Sequence, residues 1–376
     1  MFSLMSSILL VTALLHAVVP QPPVAIPADS IAPALQRLAD SIVAARPRLP
    51  GLIIAVESRA NGRRWSVAAG MSDTARRVPL RPEQPVRIAS NTKTYVSAAV
   101  LRLVEQGQLS LADPLATHLP PALDALLRGD GYRTDVITIE QVLSHRAGFH
   151  EHPAVPSYVA RLRTAPRYRW TREEQLQWLV DSLAPVGAPG AQFRYSDSGY
   201  TLLGAIVERL TGMPLGPAVR RLVGFDSLGL RHTWWETLEA APPGIADRAH
   251  QYLGGFDAYA IDPSFDLYGG GGIAAPMSDV AHFLTALLDG RVLAQRRTLD
   301  TMLAPRSTEM AGYGLGIFGT VVRGVRGYGH SGFWGTSAMV FPDAGVTVAV
   351  AITDQAEFRQ ITPVMGAVLR LFGAGN

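Results

Sequence analysis

The sequence has no cysteine, and only one of its 34 lysine and arginine residues is a lysine, Lys93. The absence of cysteine excludes disulfides, thiolate catalysis and cysteine-ligated metals. The net charge is only +3 and the arginines are scattered, so we expect no nucleic-acid partner. A single lysine suggests a chemical role for that residue, because arginine stays protonated whereas a buried lysine can give up its proton. The alternative is that a coding bias left one lysine by chance.

The chain also lacks an apolar run long enough for a comfortable membrane span. A mostly apolar run from Ile8 to Val19 ends at Pro20 and has the length of a signal peptide. We therefore predict a signal peptide and linker over residues 1–28 and a secreted or periplasmic protein. The alternative is that the segment is retained uncleaved as a membrane anchor.

The remaining 348 residues, 29–376, alternate between strand and helix patterns. Strands are predicted in "GLIIAVES" and "RRWSVAAG", and again near the C-terminus in "YGLGIFGTVV", "GYGHSG", "TSAMVFP" and "GVTVAVAIT". Helical spacing dominates between these groups and at both ends. The pattern predicts an α+β fold, with an antiparallel sheet flanked by the terminal helices and a mainly helical inserted lobe. We expect an α/β lobe of about residues 29–89 plus 304–376, and a helical lobe of about 90–303.

The stretch "RIASNTKTYVSAAV" contains the first candidate for chemistry. A helix is predicted to begin at Ser90, and Lys93 follows three residues later on the same helical face. The lysine amine can then reach the serine hydroxyl, and the helix N-terminus supplies free N–H groups for a developing oxyanion. The alternative is that Ser90 only caps the helix.

The stretch "FRYSDSGYTLLGAIVERLTG" contains the second candidate, Tyr195, just before a predicted helix. A tyrosine beside a charged lysine would have a lowered pKa and could relay a proton. The alternative is a packing tyrosine, with Ser196 or Ser198 capping the helix.

The stretch "GYGHSGFWGTSAMVFP" contains the third candidate, the strand residues His330, Ser331 and Gly332. Glycine in a strand allows another backbone to approach closely, so a substrate could pair with this edge. Without its context, the stretch is only a glycine-rich turn in a sheet.

Together the three motifs resemble those of the serine β-lactamase and penicillin-binding-protein superfamily, in its class C-like branch. That branch includes D-alanyl-D-alanine carboxypeptidases, D-aminopeptidases and esterases. The order and separation of the motifs fit, and the resemblance extends from Ile31 to Phe372. It implies a β-lactamase/transpeptidase-like fold.

The resemblance also implies roles for individual residues. Ser90 would be the acylated nucleophile, and Lys93 its activating partner. Tyr195 would be the general base and acid, and His330 would help to hold the lysine and tyrosine. The backbone N–H groups of Ser90 and Phe333 would form the oxyanion hole.

Two residues depart from the family pattern at predicted substrate-binding positions. The second motif has Asp197 where the family usually has asparagine, and an ionised aspartate only accepts hydrogen bonds. Phe333 follows Ser331 and Gly332 where carboxypeptidases and β-lactamases often place a hydroxyl. Both departures count against efficient penicillin hydrolysis and leave an esterase or D-peptide hydrolase open.

Other patterns carry less weight. His145, His150 and His152 lie close together in sequence, but they lack zinc-hydrolase spacing, so we expect loop histidines near the cleft mouth and no metal. The match of "GLGIFG" to a dinucleotide-binding pattern opens no helix, so no cofactor is expected. No G-x-S-x-G elbow occurs, which disfavours the α/β-hydrolase class.

The sequence thus favours a serine hydrolase that acts through a Ser90 acyl-enzyme. Its partner would be a small-molecule or peptide substrate: a D-alanyl peptide such as one from the cell wall, a related amide, or a small ester. The alternative is a non-hydrolytic sensor of β-lactams or cell wall, or a scaffold of the same fold. An intact Ser90, Lys93 and Tyr195 set favours the enzyme.

Overall fold

The structure is a computed structural model that describes residues 28–308 and 312–375. The predicted signal peptide and linker lie outside the described residues, except for Ala28, where the first helix begins. In the described part of the chain, no helix has both the length and the apolar character needed to cross a membrane.

The strands alternate with the helices along the chain. The strands are β1 (Gly51–Ser58), β2 (Arg64–Asp73), β3 (Val78–Pro79), β4 (Val86–Arg87), β5 (Trp234–Trp235), β6 (Tyr252–Leu253), β7 (Phe256–Asp257), β8 (Ile273–Ala275), β9 (Phe318–Val322), β10 (Val325–Gly332), β11 (Thr336–Phe341) and β12 (Val346–Ile352). The helices are α1 (Ala28–Ala44), α2 (Thr92–Glu105), α3 (Leu115–His118), α4 (Pro121–Gly129), α5 (Ile139–Leu143), α6 (Pro156–Thr164), α7 (Arg172–Ser182), α8 (Asp197–Thr211), α9 (Leu215–Val223), α10 (Phe225–Leu228), α11 (Met277–Leu288), α12 (Arg296–Leu303) and α13 (Ile361–Leu371).

The main sheet has seven strands in the order β3-β2-β1-β12-β11-β10-β9, and every neighbouring pair is antiparallel. At its centre β1 pairs with β12, with Ile54 opposite Val350, so strands from both ends of the chain share one sheet. The predicted fold class is confirmed.

Both faces of the main sheet are covered. Helices α1 and α13 pack on one face, where Leu35 and Val368 are fully buried, and α11 packs on the other. Every residue of β1 is therefore buried, which explains why "GLIIAVES" is apolar without alternation. Helix α11 lies within the stretch predicted for the helical lobe, although it packs against the sheet; the lobe boundaries stay a prediction.

The inserted region is built around α2, which packs against α8 and α9. Eleven of the fourteen residues of α2 are buried, so it is a central helix rather than a surface helix. The short sheet β4-β8-β5 ties the chain just before α2 to residues 273–275. The helix that carries Lys93 is thus held on several sides.

One predicted strand is shorter than expected. The stretch "YGLGIFGTVV" forms a strand only over Phe318–Val322, because the residues before it run past α2. There Thr94 Oγ1 donates to the Gly316 carbonyl at 2.7 Å and Ser97 Oγ donates to the Leu315 carbonyl at 2.6 Å. Gly316 has a φ of +70°, and a Cβ there would lie 2.5 Å from the Ser97 Cβ, so only glycine fits.

Candidate active site

Ser90 lies in a 3₁₀ turn, Ala89–Asn91, that leads directly into α2. The predicted helix start at Ser90 is therefore two residues early, since α2 begins at Thr92. Asn91 Nδ2 anchors the turn by donating to the Ile88 carbonyl at 2.9 Å and to Thr336 Oγ1 at 3.0 Å. Ala89 has a φ of +45°, a conformation that costs a non-glycine residue about 1–2 kcal/mol. Such strain is typical of residues that present a functional group.

Lys93 is fully buried, and each of its three ammonium N–H groups has an acceptor. Its Nζ lies 3.0 Å from Ser90 Oγ and 2.8 Å from the Gly270 carbonyl, and it forms an ion pair with Asp197. Burial alone would lower the pKa of Lys93, but Asp197 and Tyr195 raise the pKa above its ordinary value. This arrangement stabilises Lys93 as an ammonium, whereas the sequence suggested a lysine that can give up its proton.

Asp197 is the first residue of α8, and Ser196 caps that helix by accepting from the Gly199 N–H at 3.2 Å. Burial would raise the pKa of Asp197, but Lys93 beside it holds the pKa below the usual range. The sequence left open whether Asp197 is ionised. The geometry makes it an ionised partner of Lys93, with one carboxylate oxygen already taken.

Tyr195 lies against the same pair, with Lys93 Nζ 5.0 Å from its ring centroid. Its hydroxyl is within hydrogen-bond reach of both Ser90 and Lys93. Burial raises the pKa of Tyr195 to about 12, and Lys93 only partly offsets this. The expectation of a lowered pKa is wrong, because desolvation of the phenolate outweighs the attraction of the nearby cation.

His330 is held by a chain of hydrogen bonds that the sequence did not reveal. The Ser196 N–H donates to His145 Nδ1 at 3.1 Å, so His145 Nε2 carries the proton and donates to Tyr313 Oη at 3.1 Å. Tyr313 Oη lies 3.0 Å from His330 Nε2, and His330 Nδ1 lies 2.7 Å from the Ser331 carbonyl oxygen and 3.0 Å from the Ser331 backbone nitrogen. Burial and the charge of Lys93 lower the pKa of His330 to about 3, so the ring is neutral.

These hydrogen bonds place His330 differently from the expectation. Among the described residues, it bonds to Tyr313 and Ser331 rather than directly to Lys93 or Tyr195. The expectation that His145, His150 and His152 lie near the cleft mouth is wrong for two of them, because these two are buried. His145 and His152 are only 2% and 1% exposed.

The third motif brings β10 against the turn that carries Ser90. A Cβ on Gly332 would lie 2.1 Å from the Ile88 carbonyl oxygen, so glycine is required for this close approach. Ser331 Oγ donates to Ser337 Oγ at 2.9 Å, and Phe333 is 41% exposed beyond the end of the strand.

The predicted residues meet at one cavity of about 290 Å³, which we call the active-site cavity. Lys93 and Asp197 lie behind its wall, and none of the described residues that line it is a lysine or an arginine. The lining residues are Ser90, Tyr195, Phe318, His330, Ser331, Gly332, Phe333, Gln355 and Phe358.

Two further carboxylates lie close to the Lys93–Asp197 pair. The loop that carries Glu151 is hydrogen-bonded to the residues before and after Asp197. Ser196 Oγ donates to the His150 carbonyl, and His152 bonds to Ser198. Burial and Asp197 raise the pKa of Glu151 to about 8, and burial raises the pKa of Asp266 to about 7. Sequence reasoning missed both, since only the folded loops bring them near Lys93.

Comparisons with known proteins match most of the chain to one family. A family model described as Beta-lactamase matches residues 36–364. A curated protein of Salmonella agona (strain SL483), named "Putative D-alanyl-D-alanine carboxypeptidase", is 26% identical over 68% of this chain and 66% of its own length. The chain thus spans just under two thirds of the length of the curated relatives it matches.

Two solved structures have a similar backbone. A D-stereospecific amidohydrolase from Streptomyces sp. is 26% identical, with a TM-score of 0.73 over 88% of this chain and 97% of that one. The D-amino acid amidase from Ochrobactrum anthropi SV3, complexed with D-phenylalanine, is 20% identical, with a TM-score of 0.77 over 91% of this chain and 98% of that one.

Proposed function

The chain belongs to the beta-lactamase family, and from that premise we propose that it is a serine hydrolase whose Ser90 forms an acyl-enzyme. One observation carries the proposal. Lys93 Nζ lies 3.0 Å from Ser90 Oγ, and the Tyr195 hydroxyl is within reach of both. A nucleophile, a cation and a proton relay therefore meet at the wall of one cavity.

In the first step, Ser90 Oγ forms a bond to the substrate carbonyl carbon and the bond to the leaving group breaks. The Ser90 proton passes to Tyr195 while the phenolic proton of Tyr195 passes to the leaving group. This relay suits a pKa of about 12, because the phenol is neutral at physiological pH and is neutral again after the step. Lys93 stays an ammonium and stabilises the charge that develops on Ser90 Oγ. Water then attacks the acyl-enzyme along the reverse route and releases the acid.

The active-site cavity favours a substrate without a free carboxylate. None of the described residues lining it is a lysine or arginine, and His330, with a pKa of about 3, is uncharged. A D-alanyl peptide or a penicillin would bring a carboxylate with no counter-ion there. Three phenylalanines supply apolar walls instead: Phe318, Phe333 and Phe358. We therefore favour a neutral ester or amide with apolar groups beside the scissile carbonyl.

Glu151 and Asp266 favour a second candidate, an amide whose acyl part carries an ammonium group. Neither carboxylate has an ion-pair partner among the described residues, and burial raises the pKa of each, to about 8 and about 7. Neither carboxylate lines the active-site cavity, so a substrate ammonium there would stabilise their ionised forms through its charge and not by direct contact. The similarity to a D-stereospecific amidohydrolase also supports this class.

A substrate panel tests the proposal: p-nitrophenyl butyrate, D-phenylalanine p-nitroanilide, D-alanyl-D-alanine and benzylpenicillin. We expect the ester to be hydrolysed fastest, with a loss in kcat/KM of at least about 10³-fold in Ser90→Ala. The matched control Ser227→Ala, at an exposed serine, should keep the wild-type rate.

The other outcomes separate the alternatives. Faster hydrolysis of the anilide than of the ester would favour the ammonium-bearing substrate. A stable penicillin adduct without turnover of any substrate would indicate the non-hydrolytic sensor. Full activity in Ser90→Ala would reject Ser90 as the nucleophile.

A further inference from the structure

A second cavity of about 320 Å³ lies next to the active-site cavity, and Phe333 and Gln355 line both. The two cavities therefore adjoin at Phe333 and Gln355. The remaining residues of the second cavity come from α6, from β6 and the turn after it, and from the segment after β12: Val159, Leu162, Arg163, Leu253, Gly254 and Ala356.

Apolar side chains are exposed at these two cavities to an unusual degree. The described residues leave seven large apolar side chains substantially exposed, and three of them line the two cavities: Val159 at 39%, Phe333 at 41% and Phe358 at 36%. Exposed apolar surface that is concentrated in a concave site is typical of a ligand-binding groove.

The walls of the second cavity are fixed in place. Arg163 Nη2 donates to the Leu253 carbonyl at 3.0 Å and so ties α6 to the β6–β7 hairpin. The N–H groups of Gly254 and Gly255 donate to the Asp354 carboxylate at 2.8 and 2.9 Å, which ties the hairpin to the segment after β12. The cavity is thus preformed, and a ligand would not have to order its walls.

The floor of the second cavity is part of a buried apolar cluster. Leu162 and Leu253 are 3% and 9% exposed, and both belong to the cluster that contains Trp334. Val159, Leu162 and Arg163 lie three and four residues apart on α6, so they share one face of that helix. Arg163 is the one charged residue in the lining, and its guanidinium is already engaged with the Leu253 carbonyl and lies 4.9 Å from the Phe256 ring centroid.

The position of Tyr195 indicates which part of a substrate would reach the second cavity. Tyr195 lines only the active-site cavity, where it lies near His330, which in turn contacts Phe318. A leaving group that receives its proton from Tyr195 must lie at that end. The acyl group then points the other way, toward Phe333.

We propose that the second cavity is the acyl subsite, and that it binds an apolar alkyl or aryl acyl chain extending from Ser90 across the Phe333 ring. This inference rests on the proposed function. The preferred substrate is then an ester or amide of a medium-length apolar acid. Each buried methylene would raise kcat/KM by up to about fourfold.

The first test compares p-nitrophenyl octanoate with p-nitrophenyl acetate in variants that fill the subsite from opposite walls, Val159→Trp and Ala356→Trp. Ala160→Trp, at the next and exposed position of α6, is the matched control. We expect the octanoate-to-acetate ratio of kcat/KM to fall at least about tenfold in both filled variants and to stay unchanged in the control. Using the ratio cancels any general loss of activity. An unchanged ratio in both filled variants would overturn the subsite while leaving the hydrolase intact.

The second test needs no turnover. Calorimetry would measure octanamide binding to Ser90→Ala protein, alone and combined with Val159→Trp or Ala160→Trp. We expect affinity to fall at least about tenfold with Val159→Trp only. If the wild-type protein showed no esterase activity, that binding result would support the subsite and reject the proposed function. Equal affinity in all three proteins, or no binding to any of them, would overturn the subsite.

Discussion

At the scale of single residues, Lys93 is held by three acceptors that match the three N–H groups of an ammonium. The Ser90 hydroxyl, the Asp197 carboxylate and the Gly270 carbonyl surround a side chain with no exposed surface. The planar donors of a guanidinium cannot reproduce this arrangement. Arginine at position 93 would keep the positive charge but not these three hydrogen bonds, which gives a physical reason for lysine.

Lys93→Arg should therefore lower kcat/KM for p-nitrophenyl butyrate by at least about 100-fold. The larger side chain would overpack the site, at a cost of about 1–3 kcal/mol, and displace Ser90 Oγ. Steady-state kinetics and a thermal melt measure the two effects. The exposed Arg37→Lys is the control and should change neither. Near wild-type activity in Lys93→Arg would mean that only the charge at this position matters.

Asp197→Asn should shift the alkaline limb of the pH profile of kcat/KM to lower pH. The active form has a neutral Tyr195 and a cationic Lys93, so activity is lost as pH rises through their pKa values. Asp197 raises both pKa values, and that of Tyr195 is about 12. Removal of the Asp197 charge should therefore move the alkaline limb down by about 1–3 pH units. The exposed Asp343→Asn is the control, and coincident profiles for Asp197→Asn and wild type would contradict the assigned ionisation.

Residue spacing predicted which side chains would meet, but not their protonation. Ser90 and Lys93 are three residues apart at the start of a helix, so their proximity followed from local geometry. The pKa of Tyr195 could not be predicted, because it depends on burial by residues distant in sequence. Tyr313 and Glu151 were missed for the same reason, since their positions in the site depend on long-range packing.

At the scale of elements, the site depends on a close approach between β10 and the turn before α2. Gly332 lies against the Ile88 carbonyl, and Thr336 Oγ1 also donates to that carbonyl at 3.1 Å. The edge of β10 is thereby fixed relative to Ser90. The distance between the nucleophile and the third motif is therefore a property of two packed elements.

Gly332→Ala should separate these elements and lower both activity and stability. The added Cβ would lie 2.1 Å from the Ile88 oxygen, so the backbone must move at a cost of about 1–3 kcal/mol. We expect a loss in kcat/KM of at least tenfold, by analogy with other small misplacements of catalytic groups, together with a lower Tm. Gly129→Ala is the control, because a Cβ there meets nothing within 4 Å. Unchanged kinetics in Gly332→Ala would show that this approach does not position the site.

Elements with strong apolar patterns were predictable, and irregular ones were not. The apolar run "GLIIAVES" predicted a strand, and β1 forms there. The stretch around Gly316 also read as a strand, but it bends where it packs against Ser97. The alternation of residues in the sequence could not predict the contact between Gly316 and Ser97, because Ser97 lies on α2, which is distant in sequence.

At the scale of the whole molecule, both ends of the described chain build the main sheet and its cover. Helices α1 and α13 pack together over β1 and β12. The nucleophile comes from the middle of the chain, whereas the third motif comes from β10. Assembly of the site therefore requires the N-terminal and C-terminal segments to fold as one unit.

Deletion of residues 361–376, which removes α13, should abolish cooperative folding and activity together. Four side chains of α13 are at most 2% exposed: Val364, Met365, Val368 and Leu369. Burial of each contributes about 1.5–3 kcal/mol, and the sum is comparable with the stability of a typical domain. A thermal melt followed by circular dichroism measures folding. Deletion of residues 373–376 alone is the control and should melt like wild type. A cooperative melt and full activity without α13 would contradict this account.

The central claim is that Ser90 carries the acyl group, and intact-protein mass spectrometry of a rapidly quenched reaction with p-nitrophenyl acetate tests it most directly. The account predicts a mass increase of one acetyl group, mapped by peptide analysis to Ser90 and absent in Ser90→Ala. Burst release of p-nitrophenol should match the labelled fraction. Rapid turnover with no Ser90 adduct, or the same adduct in Ser90→Ala, would contradict the claim.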